Sequence, residues 1–311
     1  MNILIGYSGF VGSNLNETNF FDKTFNSSNI QEAYDLQPDI CVYAGIRAQK
    51  FIANKHPESD LAHIKDAIEN IKKIKPKKLI LISTIDVLDN TNDTDEFYSI
   101  NTETLEPYGK HRRYLEMWVE KNISDYHIIR LPGLYGKNLK KNFIFDLLNP
   151  IPKMLTIELF NKLNNKTDEL LQFYELKSDH FYYLREILNE NEHNYLQNYF
   201  HKIHFSAKLF TDSRIVFQFY NLKYLWNDIQ IVIANDIKLI HLVTEPISAS
   251  ELYQKLFNEP FINEKSFSYP KYNIKTKYAS YWNGKNGYLD DKQNVIEDIK
   301  IYVMQKKRLN I

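Results

Sequence analysis

Residues 3–15 contain the pattern that most restricts how this chain can fold. A short apolar run, Ile3 to Ile5, leads directly into Gly6, Gly9 and Gly12, and an amphipathic segment follows. This order predicts a β-strand, a tight turn and the start of an α-helix. Glycine suits such a turn because it adopts positive φ freely and lets the backbone approach a ligand closely. The free N–H groups of the helix start would face that ligand and favour an anion such as a pyrophosphate.

Strand-like and helix-like segments alternate through the first half of the chain. Apolar runs typical of parallel strands lie at residues 2–6, 38–45, 77–84 and 126–133, with a weaker one at 23–29. Helical segments lie between them at residues 11–17, 59–74 and 108–122. Parallel strands are connected by crossover helices, which cover both faces of the sheet. The pattern predicts an α/β fold, a doubly wound parallel sheet of the Rossmann type, as a dinucleotide-binding domain over residues 1–150.

The pattern changes after this domain, and we expect residues 151–311 to form a smaller, mostly helical substrate domain. Residues 153–205 are rich in Tyr, Phe and Leu without strand alternation, which predicts an insert of two or three helices. Residues 213–240 are predicted to return to the first domain, beginning with a strand over 213–222. The remaining predicted elements are a strand at 238–243, a helix at 247–257 capped by Ser248 or Ser250, and a closing helix near Tyr302.

Composition excludes several classes of protein. With 311 residues the chain is long enough for two packed units, and its formal net charge of +0 gives no basic excess for nucleic acid. The single cysteine, Cys41, lies in an apolar run, which predicts a buried thiol and excludes a disulfide framework. We find neither a secretory leader nor a bilayer-spanning apolar run, so we expect a cytoplasmic protein without a membrane partner. The nine histidines show no metal-ligand spacing, so no metal is expected.

A hydroxyl, a phenol and a fixed cation are predicted to lie close together. The strand at 77–84 ends in Thr84, and Tyr108 begins a later helix with Arg112 one turn further along the same face. A tyrosine exchanges protons at neutral pH only if its pKa of about 10 is lowered, and a neighbouring cation has that effect. The Thr84 hydroxyl is placed to hydrogen-bond the same substrate oxygen. Lys110 points to a different face and is the weaker candidate for the supporting charge.

Five segments occur in the order and spacing of a known family: GYSGFVG (6–12), YAGIRA (43–48), LISTIDV (81–87), PYGKHR (107–112) and RLPGLYG (130–136). In them the chain resembles the extended short-chain dehydrogenases/reductases, in the branch of NAD-dependent epimerases, dehydratases and keto-sugar reductases that act on nucleotide sugars. The likeness covers the first half of the chain, and the second half matches only loosely. It implies an enzyme that uses NAD or NADP for hydride transfer on a nucleotide-linked sugar, with a homodimer as the family's habit.

The resemblance implies a role for each matching residue. It makes Tyr108 the catalytic acid/base and Thr84 the orienting hydroxyl, while Arg112 depresses the Tyr108 pKa and anchors the nicotinamide ribose. The residues implied at the cofactor are Gly6, Gly9, Phe10, Val11, Gly12, Ala44, Gly45, Arg47, Ser83, Leu131 and Gly133. Arg214 is implied at the diphosphate of the substrate, where arginine suits a bidentate contact, although an ordinary surface ion pair explains it equally well.

The sequence departs from the family pattern at several positions. Arg112 stands where the family has lysine; it keeps the charge but cannot relay a proton, because arginine stays protonated. Thr84 is followed by Ile85 and Asp86, so one acid of the dehydratase signature is missing and dehydration is disfavoured. Residues 26–29, Asn-Ser-Ser-Asn, lack the carboxylate expected to hold an NAD ribose, so the choice between NAD and NADP is open.

The residues leave three functions open. The leading one is an NAD(P)-dependent oxidoreductase or epimerase of a nucleotide-linked sugar. The second is a catalytically silent dinucleotide-binding sensor or scaffold, which the change to Arg112 favours. The third is a reductase of a small non-nucleotide carbonyl. Near the expected cleft, Lys50 and Asn54 are interpreted as solvated loop residues, and Arg112 has an alternative as a surface partner of Glu116.

Overall fold

The computed structural model describes residues 1–164 and 169–309. Its strands are β1 (Asn2–Ile5), β2 (Lys23–Phe25), β3 (Ile40–Tyr43), β4 (Lys78–Thr84), β5 (Tyr126–Leu131), β6 (Gly133–Tyr135), β7 (Met154–Thr156), β8 (Tyr174–Leu176), β9 (Phe181–Leu184), β10 (Val216–Phe217), β11 (Phe219–Asn221), β12 (Leu239–His241) and β13 (Ile247–Ser248). Its α-helices are α1 (Phe10–Thr18), α2 (Lys50–Lys55), α3 (Pro57–Ile74), α4 (Pro107–Asn122), α5 (Phe143–Leu148), α6 (Ile157–Leu163), α7 (Glu190–Lys202), α8 (Leu225–Ala234), α9 (Ala249–Phe257) and α10 (Lys292–Leu309).

Six strands form one parallel sheet in the order β12-β5-β4-β3-β1-β2. The chain runs outward from β1 to β2 and then crosses to the other side of β1 to form β3. In open sheets of this type, ligands bind beyond the carboxyl ends of the strands where the strand order reverses. The predicted doubly wound α/β fold is confirmed, including its weak second strand, and the reversal between β1 and β3 marks where a site is expected.

Alternate side chains of the central strands fill two separate cores. Ile3 and Ile5 of β1 pack on the side covered by α3 and α4. Leu4, between them, points into a second core that β1 shares with α1 and α8. Cys41 is completely buried in the first core, as predicted, and burial raises the pKa of its thiol. Helices therefore cover both faces of the sheet.

The insert at residues 153–205 is not wholly helical, so that part of the prediction was wrong. It contains α6 and α7 but also an antiparallel sheet of three strands in the order β7-β9-β8. Aromatic residues favour strands when their rings find packing partners. In β9, Tyr182 stacks on Phe160 of α6 with ring centroids 3.7 Å apart. Phe181 contacts Phe51 of α2 edge to face at 5.3 Å, so the insert lies against α2.

Some strands of the C-terminal half form two-stranded sheets, and one strand joins the six-stranded sheet. Within residues 213–222, β10 pairs with β13 and β11 pairs with β6, so neither joins the six-stranded sheet. The return to that sheet is made by α8 and by β12, which pairs with β5. Ser248 caps α9 as predicted, its hydroxyl oxygen accepting from the Glu251 N–H at 3.1 Å. Across residues 1–164 and 169–309, no helix is both long and apolar enough to cross a membrane.

Candidate active site

The glycine loop between β1 and α1 leaves almost no space between its backbone segments. Gly6 adopts a φ of +88°, and its N–H donates to the Phe25 carbonyl of β2 at 2.6 Å. A Cβ on Gly12 would lie 2.0 Å from the Gly6 carbonyl oxygen, and one on Gly6 would lie 2.6 Å from the Ala44 oxygen. Both contacts are with backbone, so only glycine is compatible with these positions.

The start of α1 is open to a ligand. Gly9 is the N-cap residue, and no side-chain hydrogen bond caps the helix. Gly9 is exposed, and its nearest contact for an added Cβ is the Gly6 oxygen at 3.3 Å. Phe10 and Val11 pack against the second core and so fix the direction of the helix. Free N–H groups at a helix start bind anions, so residues 6–12 fit the pyrophosphate of a dinucleotide.

A neutral polar loop follows β2, where the family binds a ribose. Asn26 donates to Ser8 at 3.4 Å and accepts from the N–H and hydroxyl of Ser28 at 2.9 and 2.6 Å. Residues 26–29 contain no carboxylate, which would repel a 2′-phosphate, and no cation, which would attract one. The charge of this loop therefore does not favour NAD over NADP or NADP over NAD.

The segments that carry the predicted hydroxyl and phenol contact each other at the carboxyl end of β4. Thr84 ends this strand, and its Oγ1 accepts a hydrogen bond from the Asp86 N–H at 3.2 Å. The 3₁₀ turn at Ile85–Val87 packs on the first turn of α4, so closely that a Cβ on Gly109 would lie 2.1 Å from the Asp86 carbonyl oxygen. Tyr108 is thereby held next to the strand end, and it is 7% exposed.

The pKa of Tyr108 shifts in the direction opposite to the prediction. Burial raises it, and the opposing effects of Arg112 and Lys50 leave it above its ordinary value. The free-energy cost of removing the phenolate from water exceeds the stabilisation that the neighbouring cations give it. The phenol is therefore protonated at neutral pH, which suits a group that donates a proton to a carbonyl oxygen.

Arg112 lies over the ring of Tyr108, with its guanidinium carbon 3.8 Å from the ring centroid. Its terminal nitrogens donate to both carboxylate oxygens of Asp60, at 2.6 and 2.9 Å. They also donate to the backbone carbonyls of Tyr108 at 3.1 Å and Arg47 at 2.6 Å. Arg112 does not pair with Glu116. Its terminal nitrogens are committed to groups of the protein, while its buried Nε has no hydrogen-bond partner, so Arg112 orients the phenol ring rather than presenting free terminal N–H groups to a ribose.

Lys50 and Asn54 lie on α2 and contact the site. Their interpretation as solvated loop residues was therefore wrong. Lys50 begins α2, and its Nζ lies 2.7 Å from Asp86 Oδ1. Asn54, one turn later, accepts a hydrogen bond from the Tyr108 N–H at 2.9 Å. This bond satisfies one of the backbone donors that the start of α4 leaves without a partner in the helix. The only signal in the sequence was their position shortly after the YAGIRA segment.

A buried ion-pair network lies behind Ser83. Its hydroxyl donates to Glu116 at 2.6 Å, and Glu116 accepts from two nitrogens of Arg130 at 3.0 and 2.6 Å. Burial would raise the pKa of Glu116, but Arg130, Ser83 and Arg113 together hold it below its usual value. Arg130 also donates to His241 Nε2 at 3.1 Å, and burial lowers the pKa of that imidazole. The Ser83 proton therefore points to α4, away from the expected cofactor contact.

The other residues predicted at the cofactor lie at or just after the carboxyl ends of β3 and β5. They are Ala44, Gly45, Arg47, Leu131 and Gly133. Ala44 and Gly45 follow the carboxyl end of β3, and Gly45 and Arg47 are exposed there. Leu131 ends β5 and pairs with Thr84 in the sheet. Gly133 pairs with Phe219, and an added Cβ would lie 2.9 Å from the Gln218 oxygen, so packing alone accounts for this glycine.

Arg214 is held by carboxylates instead of being free for a phosphate. It donates to the two oxygens of Asp212 at 3.0 and 2.7 Å and to Glu264 at 2.9 Å. A further hydrogen bond goes to the Ser266 carbonyl at 2.6 Å. Two carboxylates next to the guanidinium oppose the approach of a diphosphate. The geometry favours the ordinary ion pair over the predicted diphosphate contact.

Within the described part of the chain, one group of residues has the spacing of a metal site: Asp125, His127 and Asp236, at the opposite edge of the sheet. Lys78 donates to Asp125 at 2.8 Å, and Lys238 donates to Asp236 at 2.6 Å. These lysines already balance the carboxylate charge, so the group is explained as an ion-pair cluster.

Comparisons of sequence and comparisons of structure with known proteins give different results. Neither a scan against protein-family models nor a search of curated proteins returns a match for this sequence. Solved structures do match over nearly the whole chain. The dTDP-4-dehydrorhamnose reductase of Bacillus anthracis str. Ames, in complex with NADP, is 17% identical, with a TM-score of 0.62 and 97% of each chain covered.

Two epimerases are similar to the same extent. UDP-glucose 4-epimerase of Thermotoga maritima, with UDP-glucose, is 14% identical, with a TM-score of 0.59 and 100% of each chain covered. UDP-N-acetylglucosamine 4-epimerase of Methanobrevibacter ruminantium M1, in complex with UDP-N-acetylmuramic acid, is 11% identical, with a TM-score of 0.62 and 97% of this chain and 96% of that one covered. At these identities the likeness establishes the fold, which is the one implied by the sequence resemblance.

Proposed function

We propose that the protein is an NAD(P)-dependent reductase or epimerase of a nucleotide-linked sugar. The observation that supports the proposal best is the contact between the turn that follows Thr84 and the first turn of α4, which carries Tyr108, at the sheet edge where the glycine loop also opens. A phenol, a hydroxyl and an anion-binding helix start at one reversal of strand order suit carbonyl chemistry next to a dinucleotide. The fold shared with nucleotide-sugar reductases and epimerases supports the same class of activity.

The dinucleotide and the protein have separate tasks in this proposal. Residues 6–12 would hold the pyrophosphate, and the ends of β2 and β3 would lie beside the adenosine half. When bound, the cofactor supplies or accepts the hydride. The side chains of this protein orient the sugar oxygen and move its proton.

Tyr108 and Thr84 carry the proton chemistry. Tyr108 gives its phenolic proton to the sugar oxygen during reduction and takes it back during oxidation. Because Thr84 Oγ1 accepts from the Asp86 N–H, its own O–H is free to donate to the same sugar oxygen. Arg112 holds the phenol ring in place, and Asp60 holds Arg112.

We further propose that residues 151–311 supply most of the surface that binds the sugar nucleotide. The contact between Phe181 of the insert and Phe51 of α2 supports this, because α2 also contacts Asp86 and Tyr108. A cytoplasmic homodimer is the form in which we expect the enzyme to work, as in the family it resembles.

Two measurements test the proposal. Fluorescence titration with NADH and NADPH measures binding and shows which dinucleotide is preferred. Incubation with 4-keto nucleotide sugars and UDP-hexoses then measures turnover in the wild-type protein and in Tyr108→Phe. We expect Tyr108→Phe to lower kcat at least about 100-fold without changing the dinucleotide Kd.

The alternatives give different results in the same measurements. Tight dinucleotide binding without turnover of any substrate would support the catalytically silent protein, which the commitment of Arg112 to Asp60 favours. Turnover of small carbonyl compounds with no preference for nucleotide sugars would support the third function. Equal turnover by Tyr108→Phe and wild type would rule out the role of the phenol.

A further inference from the structure

Asp86 joins the two elements that carry Thr84 and Tyr108. Its N–H donates to Thr84 Oγ1 at 3.2 Å, and its carbonyl oxygen lies against Gly109, the residue after Tyr108. Its carboxylate accepts from Lys50 Nζ at 2.7 Å. A charged lysine is therefore fixed at the strand end, and its charge opposes the rise that burial causes in the pKa of Tyr108.

α2 brings this lysine to the phenol by a second, independent contact. Asn54, on the same face of α2 one turn after Lys50, accepts a hydrogen bond from the Tyr108 N–H at 2.9 Å. The helix is thus attached to the turn after β4 through Lys50 and to the start of α4 through Asn54. The two attachments place Lys50, Asp86 and Tyr108 in one group.

Two further titratable groups face Asp86 from other segments. The Tyr272 hydroxyl donates to Asp86 Oδ1 at 3.2 Å, from the segment between α9 and α10. Lys141, just before α5, donates to the Ala48 carbonyl, and burial lowers its pKa while Asp86 opposes that effect. Lys50 differs from Lys141 in that its side chain is 47% exposed, so it exchanges protons with water readily.

We propose that Lys50 is the residue that returns protons to Tyr108, a task that Arg112 at the helix position cannot perform. Arginine stays protonated in proteins, and both terminal nitrogens of Arg112 are bound to Asp60 and to backbone carbonyls. Lys50 acts through Tyr108 and is therefore a positioning residue. The inference rests on the proposed function, in which Tyr108 protonates the sugar oxygen.

The step balances in protons and charge. The O–H bond of Tyr108 breaks as its proton goes to the sugar oxygen, which leaves a phenolate. An N–H bond of the Lys50 ammonium then breaks, and its proton reaches the phenolate directly or through one water, which restores the phenol and leaves a neutral amine. Solvent water protonates that amine. Asp86 stays ionised and holds Lys50 beside the phenol throughout.

The electrostatic balance fits this transfer. Burial lowers the pKa of Lys50, but Asp86 and Tyr272 raise it, and the result lies above its ordinary value. The pKa of Tyr108 also lies above its ordinary value, because of burial. Both groups are therefore protonated at neutral pH, so a phenolate formed during turnover can recover its proton from the ammonium.

The first test needs no substrate. A fluorinated tyrosine at position 108, titrated by fluorine NMR, reports the pKa of that phenol directly. Lys50→Met should raise this pKa because a neighbouring cation is lost, and Lys50→Arg should leave it near the wild-type value. Lys110→Met is the control, since Lys110 pairs with Glu103 on the exposed side of α4. A pKa that Lys50→Met does not move would refute the proposal even if no substrate is ever found.

The second test uses turnover of the nucleotide sugar identified as above. Lys50→Met and Lys50→Arg should both lower kcat about 10–100-fold with little change in KM or dinucleotide Kd. Ethylamine in the buffer should partly restore kcat in Lys50→Ala and have no effect on Tyr108→Phe. Full activity in Lys50→Arg would show that only the charge matters and would overturn the relay. Failure of the proposed function shows up differently, as absence of turnover in the wild-type protein itself.

Discussion

The carboxylate of Asp60 binds the guanidinium of Arg112 through two hydrogen bonds, of 2.6 and 2.9 Å, while that guanidinium lies over the ring of Tyr108. Asp60 and Arg112 are 6% and 4% exposed. Asp60 belongs to α3, and Arg112 belongs to α4, so the pair ties together two helices on one face of the sheet. Arginine at this position thus serves the packing of the site as well as its charge.

Breaking this pair should destabilise the protein. Arg112→Met should lower the free energy of unfolding by about 3–5 kcal/mol, because it takes the guanidinium from the buried Asp60 carboxylate and leaves it only the imidazole of His111, 2.8 Å away. Arg112→Lys keeps the charge but loses the two-point contact, so we expect a loss of about 1–3 kcal/mol. Urea unfolding followed by circular dichroism measures both. The double variant Arg112→Met with Asp60→Leu should recover part of the loss, and no recovery would contradict this account.

Asp146 should make stability depend on pH. It lies in the first turn of α5, and burial raises its pKa to about 7. In the unfolded chain an aspartate ionises near pH 3.9. Between these values the folded protein binds a proton that the unfolded chain has released, so this group's contribution to stability falls as pH rises from about 4 to 7. Asp146→Asn should therefore be more stable than wild type at pH 8 and equally stable near pH 4.

Thermal or urea unfolding across that pH range checks the Asp146 prediction. A matched control is Asp66→Asn, since Asp66 also lies in a helix, α3, but is exposed. A difference between Asp146→Asn and wild type that is the same at both pH values would contradict the prediction.

Two glycines of the loop should respond differently to alanine. Gly12→Ala would place a Cβ 2.0 Å from the Gly6 oxygen, so we expect a lower Tm and loss of dinucleotide binding. Gly9→Ala meets nothing closer than 3.3 Å, so the fold should persist while the methyl group obstructs the open helix start and weakens binding. Differential scanning fluorimetry and NADPH titration separate the two effects. Equal Tm losses in both variants would show that the loop is not packed as described.

The network behind Ser83 should matter for folding more than for cofactor binding. Glu116→Gln should lower the free energy of unfolding by about 3–5 kcal/mol, because Arg130 keeps its buried charge without a counter-charge. Ser83→Ala removes one hydrogen bond and should cost about 1 kcal/mol. Since the Ser83 proton points to Glu116, Ser83→Ala should leave the dinucleotide Kd unchanged. A large rise in that Kd would restore Ser83 to the cofactor site.

Local sequence patterns predicted an element correctly wherever that element is determined by residues of a single segment. The glycine loop, the strand runs and α3, with its repeating apolar residues, were predicted because backbone geometry and one buried face determine them. The insert at 153–205 was predicted less well. Its strands are three or four residues long, and aromatic rings such as Tyr182 choose between helix and strand according to the partner they meet.

The sequence by itself determined the α/β class and the positions of the first five strands along the chain, since both depend on periodicity within short segments. Only the tertiary structure decided which charges pair. Arg112 binds Asp60, Arg214 binds Glu264, and Lys50 binds Asp86. The physical reason is that ion pairing depends on distance in space and on burial, and neither is encoded in the spacing of residues along one segment.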